Sequence, residues 1–102
     1  MSSTNRRPIP EAALRDADSV EMLSVWIAEQ GLHCSIKIGM YEEQGVDESR
    51  AWGILLSDVV RHISKALDLK YRCGQEKVVS DIKRHFLSEL GSPSSDIPGT
   101  FL

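Results

Sequence analysis

The sequence is poor in the features that would name a chemistry outright. It holds two cysteines, Cys34 and Cys73, in unrelated contexts and with no CxxC spacing. That excludes a disulfide framework and the usual thiolate zinc motifs, and reduced thiols in a cytoplasmic protein are the economical reading. No apolar run approaches the ~20 residues needed to cross a bilayer, so no membrane partner is expected. The beginning of the chain does not read as a secretory signal. There is no Gly-rich phosphate loop, no G-x-S-x-G and no H-E-x-x-H. An enzyme reading therefore has little to stand on, no catalytic residue is assigned, and no cofactor is implied.

What is present fits one small globular domain: 102 residues, 41% of them apolar and 26% charged. The formal charge of −3 is unevenly spread. Residues 1–60 carry 5 Lys/Arg against 10 Asp/Glu, whereas residues 61–85 carry 7 against 3. The basic residues of that second segment, Arg61, Lys65, Lys70, Arg72, Lys77, Lys83 and Arg84, scatter around their helical wheels, and only Tyr71 offers an aromatic platform nearby. Phosphate recognition wants a dense stripe, so an acidic chain of this kind is a poor nucleic-acid binder. The Arg6-Arg7 pair is too short to alter that.

The longest periodic segment is Asp47 to Lys70. At 100° per residue Trp52, Leu55, Leu56, Val59, Val60, Ile63, Ala66 and Leu67 fall in an arc of about 140°, which predicts a core-facing helix. The opposite face carries Ser57, Asp58, Arg61, Ser64, Lys65 and Asp68, with Ile54 as an apolar intruder. Asp47 suits the N-cap. Gly53, beside Trp52, is expected to admit a close backbone approach. A second helix over 75–90 places Val78, Val79, Ile82, Phe86 and Leu90 in an arc of about 120°. Gly74 breaks the two helices apart, and Gly91 with Pro93 stops the second.

Residues 19–40 admit two readings. Asp18 and Glu21 resemble a capping box, and Gly31 could close a helix over 19–30. Against this, Leu32, Cys34, Ile36, Ile38 and Met40 alternate with His33, Ser35, Lys37 and Gly39. A tight turn at Gln30-Gly31 would pair Ile27 with Cys34, Val25 with Ile36 and Leu23 with Ile38, all apolar on one face. The β-hairpin is the favoured reading. The expected fold is thus α+β in ββαα order, a hairpin over about 20–40 packed by two antiparallel helices over about 47–70 and 75–90. Residues 41–46 read as a linker, 1–18 as a flexible arm, 19–90 as the single domain, and 91–102 as a flexible tail.

The stretch Val25-Trp26-Ile27-Ala28-Glu29-Gln30-Gly31-Leu32-His33, taken with Ala51-Trp52-Gly53-Ile54-Leu55-Leu56-Ser57-Asp58-Val59-Val60-Arg61-His62, resembles a small bacterial family of domains of unknown function. Its members share W-[IL]-A-x-x-G-L-H and A-W-G-I-L-L-x-D-x-x-R-H stretches, and the resemblance covers residues 19–90. It implies a domain of this length with a hairpin around Gly31, and no activity, cofactor or catalytic residue. Cys34 departs from the family pattern, which has an aliphatic residue there. That argues against a catalytic role for this thiol.

Candidate sites follow from the pattern. A two-stranded hairpin is marginal alone and leaves an open edge, so self-association as a homodimer, two hairpins joining into a four-stranded sheet, or docking of another protein, is the leading expectation. Met22, Trp26, His33, Ser35 and Lys37 on the face away from the predicted core, with Ile54 on the helix, are the interface candidates. The alternative is a metal or small-ligand site built from Asp58 and His62 with Asp81 and His85, two i,i+4 pairs at similar heights on adjacent helices. Asp-x3-His alone lacks the specificity of a recognised zinc motif, and an ordinary hydrogen-bonded pair is the simpler expectation. Cys73, among Lys70, Arg72 and Lys77, is an inert loop cysteine on the simpler reading and a reactive thiol on the other.

Overall fold

The computed structural model describes residues 5–94 and 99–102. The expected order is present: a hairpin of β1 (Leu23–Ala28) and β2 (Gly31–Ile36), then the long helix α3 (Glu48–Tyr71) and α4 (Gln75–Gly91). Three short elements join them: α1 (Glu11–Arg15), α2 (Met40–Glu43) and β3 (Gly99–Phe101). The chain divides into two compact units, Met1–Lys37 with Thr100–Leu102, and Ile38–Gly99.

In the first unit the hairpin register is Leu23↔Ile36, Val25↔Cys34, Ile27↔Leu32 and Ala28↔Gly31. This lies two residues from the predicted pairing. The turn residues are Glu29 and Gln30, both with positive φ (51° and 63°), in place of Gln30-Gly31. Two successive left-handed residues give the turn a twist that matches the flanking strands. A slip of two leaves every side chain on its predicted face, because strand side chains repeat with period two.

The sheet has three strands in the order β1-β2-β3. Leu102 donates its N–H to the Cys34 carbonyl at 2.9 Å, and its own carbonyl accepts the Ile36 N–H at 3.0 Å. One residue bonding two that are two apart is the pattern of parallel strands. The 91–102 segment, expected as a tail, therefore contributes a strand at 99–101, while its 95–98 portion and residues 1–4 of the arm lie outside the described residues. Within the expected arm, Pro10 leads into α1, where its fixed φ is compatible with a helix start.

In the second unit α3 and α4 pack as a helical hairpin. Asp47 is the N-cap of α3 as predicted, although its side chain makes no capping bond. Arg72 closes the helix in the left-handed region (φ 53°), and the Asp68 carboxylate accepts the Gly74 N–H at 2.8 Å, which fixes the tight connection. Residues 41–46 are more than a linker: α2 forms a single turn against the start of α3.

Two helix-face expectations change. Ser64, assigned to the polar face, is completely buried and bonds the Val60 carbonyl at 2.8 Å. A small side chain at the border of the apolar arc is the kind that lets packed helices approach closely. Val59 and Ile63, at the arc's centre, are left 41% and 45% exposed. Gly53 admits no close approach among the described residues, since a Cβ there would meet none of their atoms within 4 Å outside its own helix backbone.

Candidate interaction surface

Alternation along the two strands puts Met22, Trp26, His33, Ser35 and Lys37 on one face of the sheet, as the sequence predicts. Trp26 sits opposite His33, and Lys37 donates its backbone N–H to the Met22 carbonyl at 2.9 Å. The Trp26 indole donates to Ser24 Oγ at 3.0 Å, which holds the ring along its own strand. His33 uses both ring nitrogens: Nδ1 lies 2.9 Å from Thr100 Oγ1, and Nε2 lies 3.1 Å from the Ala28 carbonyl oxygen. Ile54, the remaining interface candidate, lies in the other unit and is half exposed.

The opposite face carries Leu23, Val25 and Ile27 beside Ile36, Cys34 and Leu32. None of these is buried, and Val25 and Ile27 are 52% and 84% exposed. In an antiparallel pair, alternate residues turn their backbone groups outward. Since Met22 and Lys37 form a bonded pair, Leu23, Val25 and Ile27 present theirs to the free side of β1. Among the described residues no backbone hydrogen bond reaches that side. The arm walls a concavity along it, lined by Ile9, Leu14, Val20, Leu23, Val25 and Trp26. An Arg6–Glu21 ion pair at 4.0 Å links the arm to the approach to β1.

The alternative candidates are not gathered into a site. Asp58 pairs with Arg61 at 3.5 Å, and Asp81 with Lys77 at 2.8 Å and Arg84 at 3.4 Å. The expected Asp–His bonds give way to these bonds with cations, and His85 instead lies 3.5 Å from the Arg84 guanidinium. His62 is exposed. Among the described residues no group of three or more His, Cys, Asp or Glu side chains could hold a metal ion. The hydrogen bond from Lys77, reinforced by neighbouring positive charge, holds the Asp81 carboxyl below the usual aspartate range, and the same bond raises Lys77. Glu89 is lowered by the side-chain and backbone bonds it accepts from Ser94. Both cysteines are free thiols, Cys34 half-buried and Cys73 exposed.

Sequence reasoning missed two contributors. Thr100 reaches His33 from β3, a strand too short to show a pattern. Glu48 receives the Gly39 N–H, and its second carboxylate oxygen, like the Trp52 indole nitrogen one turn along α3, is buried with no partner among the described residues.

A three-stranded sheet with a helical hairpin, open on one sheet edge, defines a small α+β domain. More particularly, the chain belongs to the family described as a domain of unknown function (DUF5076), whose model matches residues 6–94. No curated protein matches it. Among solved structures it is similar to a "putative pyruvate dehydrogenase" from the photosynthetic bacterium Rhodopseudomonas palustrus CGA009. That chain is 20% identical, the match covers 96% of this chain and 95% of that one, and the TM-score is 0.69. At such identity the likeness shows the fold alone. Among the described residues no helix is long and apolar enough to cross a membrane.

Proposed function

We propose that this chain is a non-enzymatic interaction module of the cytoplasm that self-associates through its hairpin. The observation that carries the reading is the free side of β1, where Leu23, Val25 and Ile27 combine outward-facing backbone groups with exposed apolar side chains. Natural sheets cover, charge or shorten such an edge; here the arm lies beside it without a backbone bond among the described residues, and the strand is neither charged nor interrupted by proline. A two-fold axis at Val25 would set Leu23 of one copy against Ile27 of the next. Because β3 occupies the far side of β2, the joined sheet would have six strands instead of the four expected from the hairpin alone.

Two free thiols suit the reducing cytoplasm.

The test is the oligomeric state by size exclusion with light scattering. Wild-type protein should run as a dimer at tens of micromolar. Val25→Pro, which removes an outward N–H that β1 does not use for β2, should run as a monomer with unchanged circular dichroism. A wild-type monomer, or a Val25→Pro dimer of undiminished affinity, overturns the reading.

A further inference from the structure

The far side of β2 holds β3 in a defined register. Leu102 bonds both the Cys34 carbonyl and the Ile36 N–H, which sets it opposite Ser35. Phe101 then stands opposite Cys34, and Thr100 opposite His33, where its hydroxyl lies 2.9 Å from Nδ1. The bonds come from residues 33–36 on one side and 100–102 on the other. Burial contributes little to holding the strand, since every residue of β3 is exposed, Phe101 at 77%, and the following Leu102 at 88%. The division between the two compact units falls inside this strand, with Gly99 in the helical unit and Thr100–Leu102 in the sheet.

We propose that β3 exchanges between copies: the far side of β2 accepts the 99–102 segment of a second copy in the register in which it accepts its own. A strand added to a sheet edge is recognised through its backbone bonds and through the groups that meet its alternate side chains. Here those are the Cys34 carbonyl, the Ile36 N–H and the His33 ring, and Thr100 with Leu102 of any copy satisfies them equally. Exchanging an identical element needs no new surface, which makes it a low-cost route to a dimer. The helical unit separates β2 from β3 in the sequence, so no short turn delivers β3 to its seat as one does for β1 and β2. Slight burial, with hydrogen bonds whose net worth over water is modest, leaves the strand readily released. The contact uses the opposite edge of the sheet from β1, so it goes beyond the hairpin reading and does not rest on it.

Two measurements on full-length protein test the exchange. In the first, isotope-labelled chains carrying Leu102→Pro, which lack the N–H given to the Cys34 carbonyl, are mixed with unlabelled wild type. The labelled Cys34 and Ile36 amide signals should move toward their wild-type positions, and should stay in place when the unlabelled chain also carries Leu102→Pro. In the second, every chain carries Cys73→Ser. Acceptor chains keep Cys34, and donor chains carry Cys34→Ser with Phe101→Cys, which puts a thiol opposite Cys34 at about 5 Å between Cα atoms, within disulfide reach. Mild oxidation should link acceptor to donor through these positions, and Leu102→Pro in the donor should cut the yield about fivefold or more. In the six-stranded sheet of the hairpin dimer the same positions on different copies stand four strand spacings apart, about 19 Å, so that contact cannot give the link. Labelled signals that do not move on adding wild type overturn the proposal, as does a link whose yield Leu102→Pro leaves unchanged. Both measurements are repeated with Val25→Pro in every chain. Persistence there establishes the exchange even if the hairpin reading fails, and loss assigns the effects to the hairpin contact and overturns the exchange.

Discussion

His33 Nδ1 and Thr100 Oγ1 lie 2.9 Å apart, a side-chain bond between residues 67 positions distant in the chain. With the two backbone bonds of Leu102 it is what fastens β3 to the sheet. Thr100→Val keeps the shape and removes the hydroxyl, at a cost of about 0.5–1 kcal/mol. Amide hydrogen exchange at Ile36 and Leu102 should quicken in that variant, while exchange within α3 stays unchanged.

The Glu29-Gln30 turn places two residues with side chains in the left-handed region. Each costs roughly 1 kcal/mol or more relative to a residue suited to it. Replacing the pair with Asn-Gly should stabilise the hairpin by about 1–2 kcal/mol. The gain is read as a higher denaturant midpoint with an unchanged slope.

Gly53 occupies the interior of α3 with open space where its Cβ would be. Gly53→Ala should raise stability by about 1 kcal/mol through helix propensity alone. A loss of stability would mean that another surface comes close to this position.

Ser64, on the helix that packs against α4, has no exposed surface. Ser64→Leu would force the helices apart, at about 1–3 kcal/mol. Thermal unfolding should show the loss, and Ser64→Ala, which keeps the spacing, should unfold close to wild type.

The Asp81 carboxyl is lowered chiefly by the hydrogen bond from Lys77. A depressed carboxylate stabilises the fold above its unfolded pKa, and that contribution disappears as pH falls through the lower folded value. Lys77, raised by the same bond, contributes below its unfolded pKa and loses the contribution as pH rises through the folded one. An NMR titration should find the Asp81 midpoint below that of ordinary aspartates, and Lys77→Met should move it upward.

How much of this was legible depended on the length of each pattern. The 24 residues of α3 and the 17 of α4 span several turns, so their periodicity located both helices to within a residue or two. The hairpin was legible as alternation, but alternation is blind to a slip of two, and Glu29-Gln30 carries none of the turn chemistry that would have chosen between registers. The helical wheel sorted side chains by polarity and so turned Ser64 outward, whereas packing selected it for its size. In β3, Gly99-Thr100-Phe101 offers a single apolar residue, too little for any periodicity. Of the interface candidates, Met22, Trp26, His33, Ser35 and Lys37 were legible only as one face of the strands. The pairing of Asp81 with Lys77 and Arg84 was not legible in the Asp-x3-His spacing, because cations four residues before and three after the carboxylate lie on the same helix face as His85 and compete for it.

The attachment of β3 also has a kinetic meaning. Between Ile36 and Gly99 the chain builds the whole helical unit, so parallel pairing of β2 with β3 closes a loop of about sixty residues. The hairpin and the helix pair form through local contacts and leave the ribosome first. The far side of β2 must therefore stay unpaired during synthesis until β3 emerges. Its Cys34 carbonyl and Ile36 N–H are open to a neighbouring nascent chain for that interval, and β3 acts as a late cover that withdraws this edge from competition.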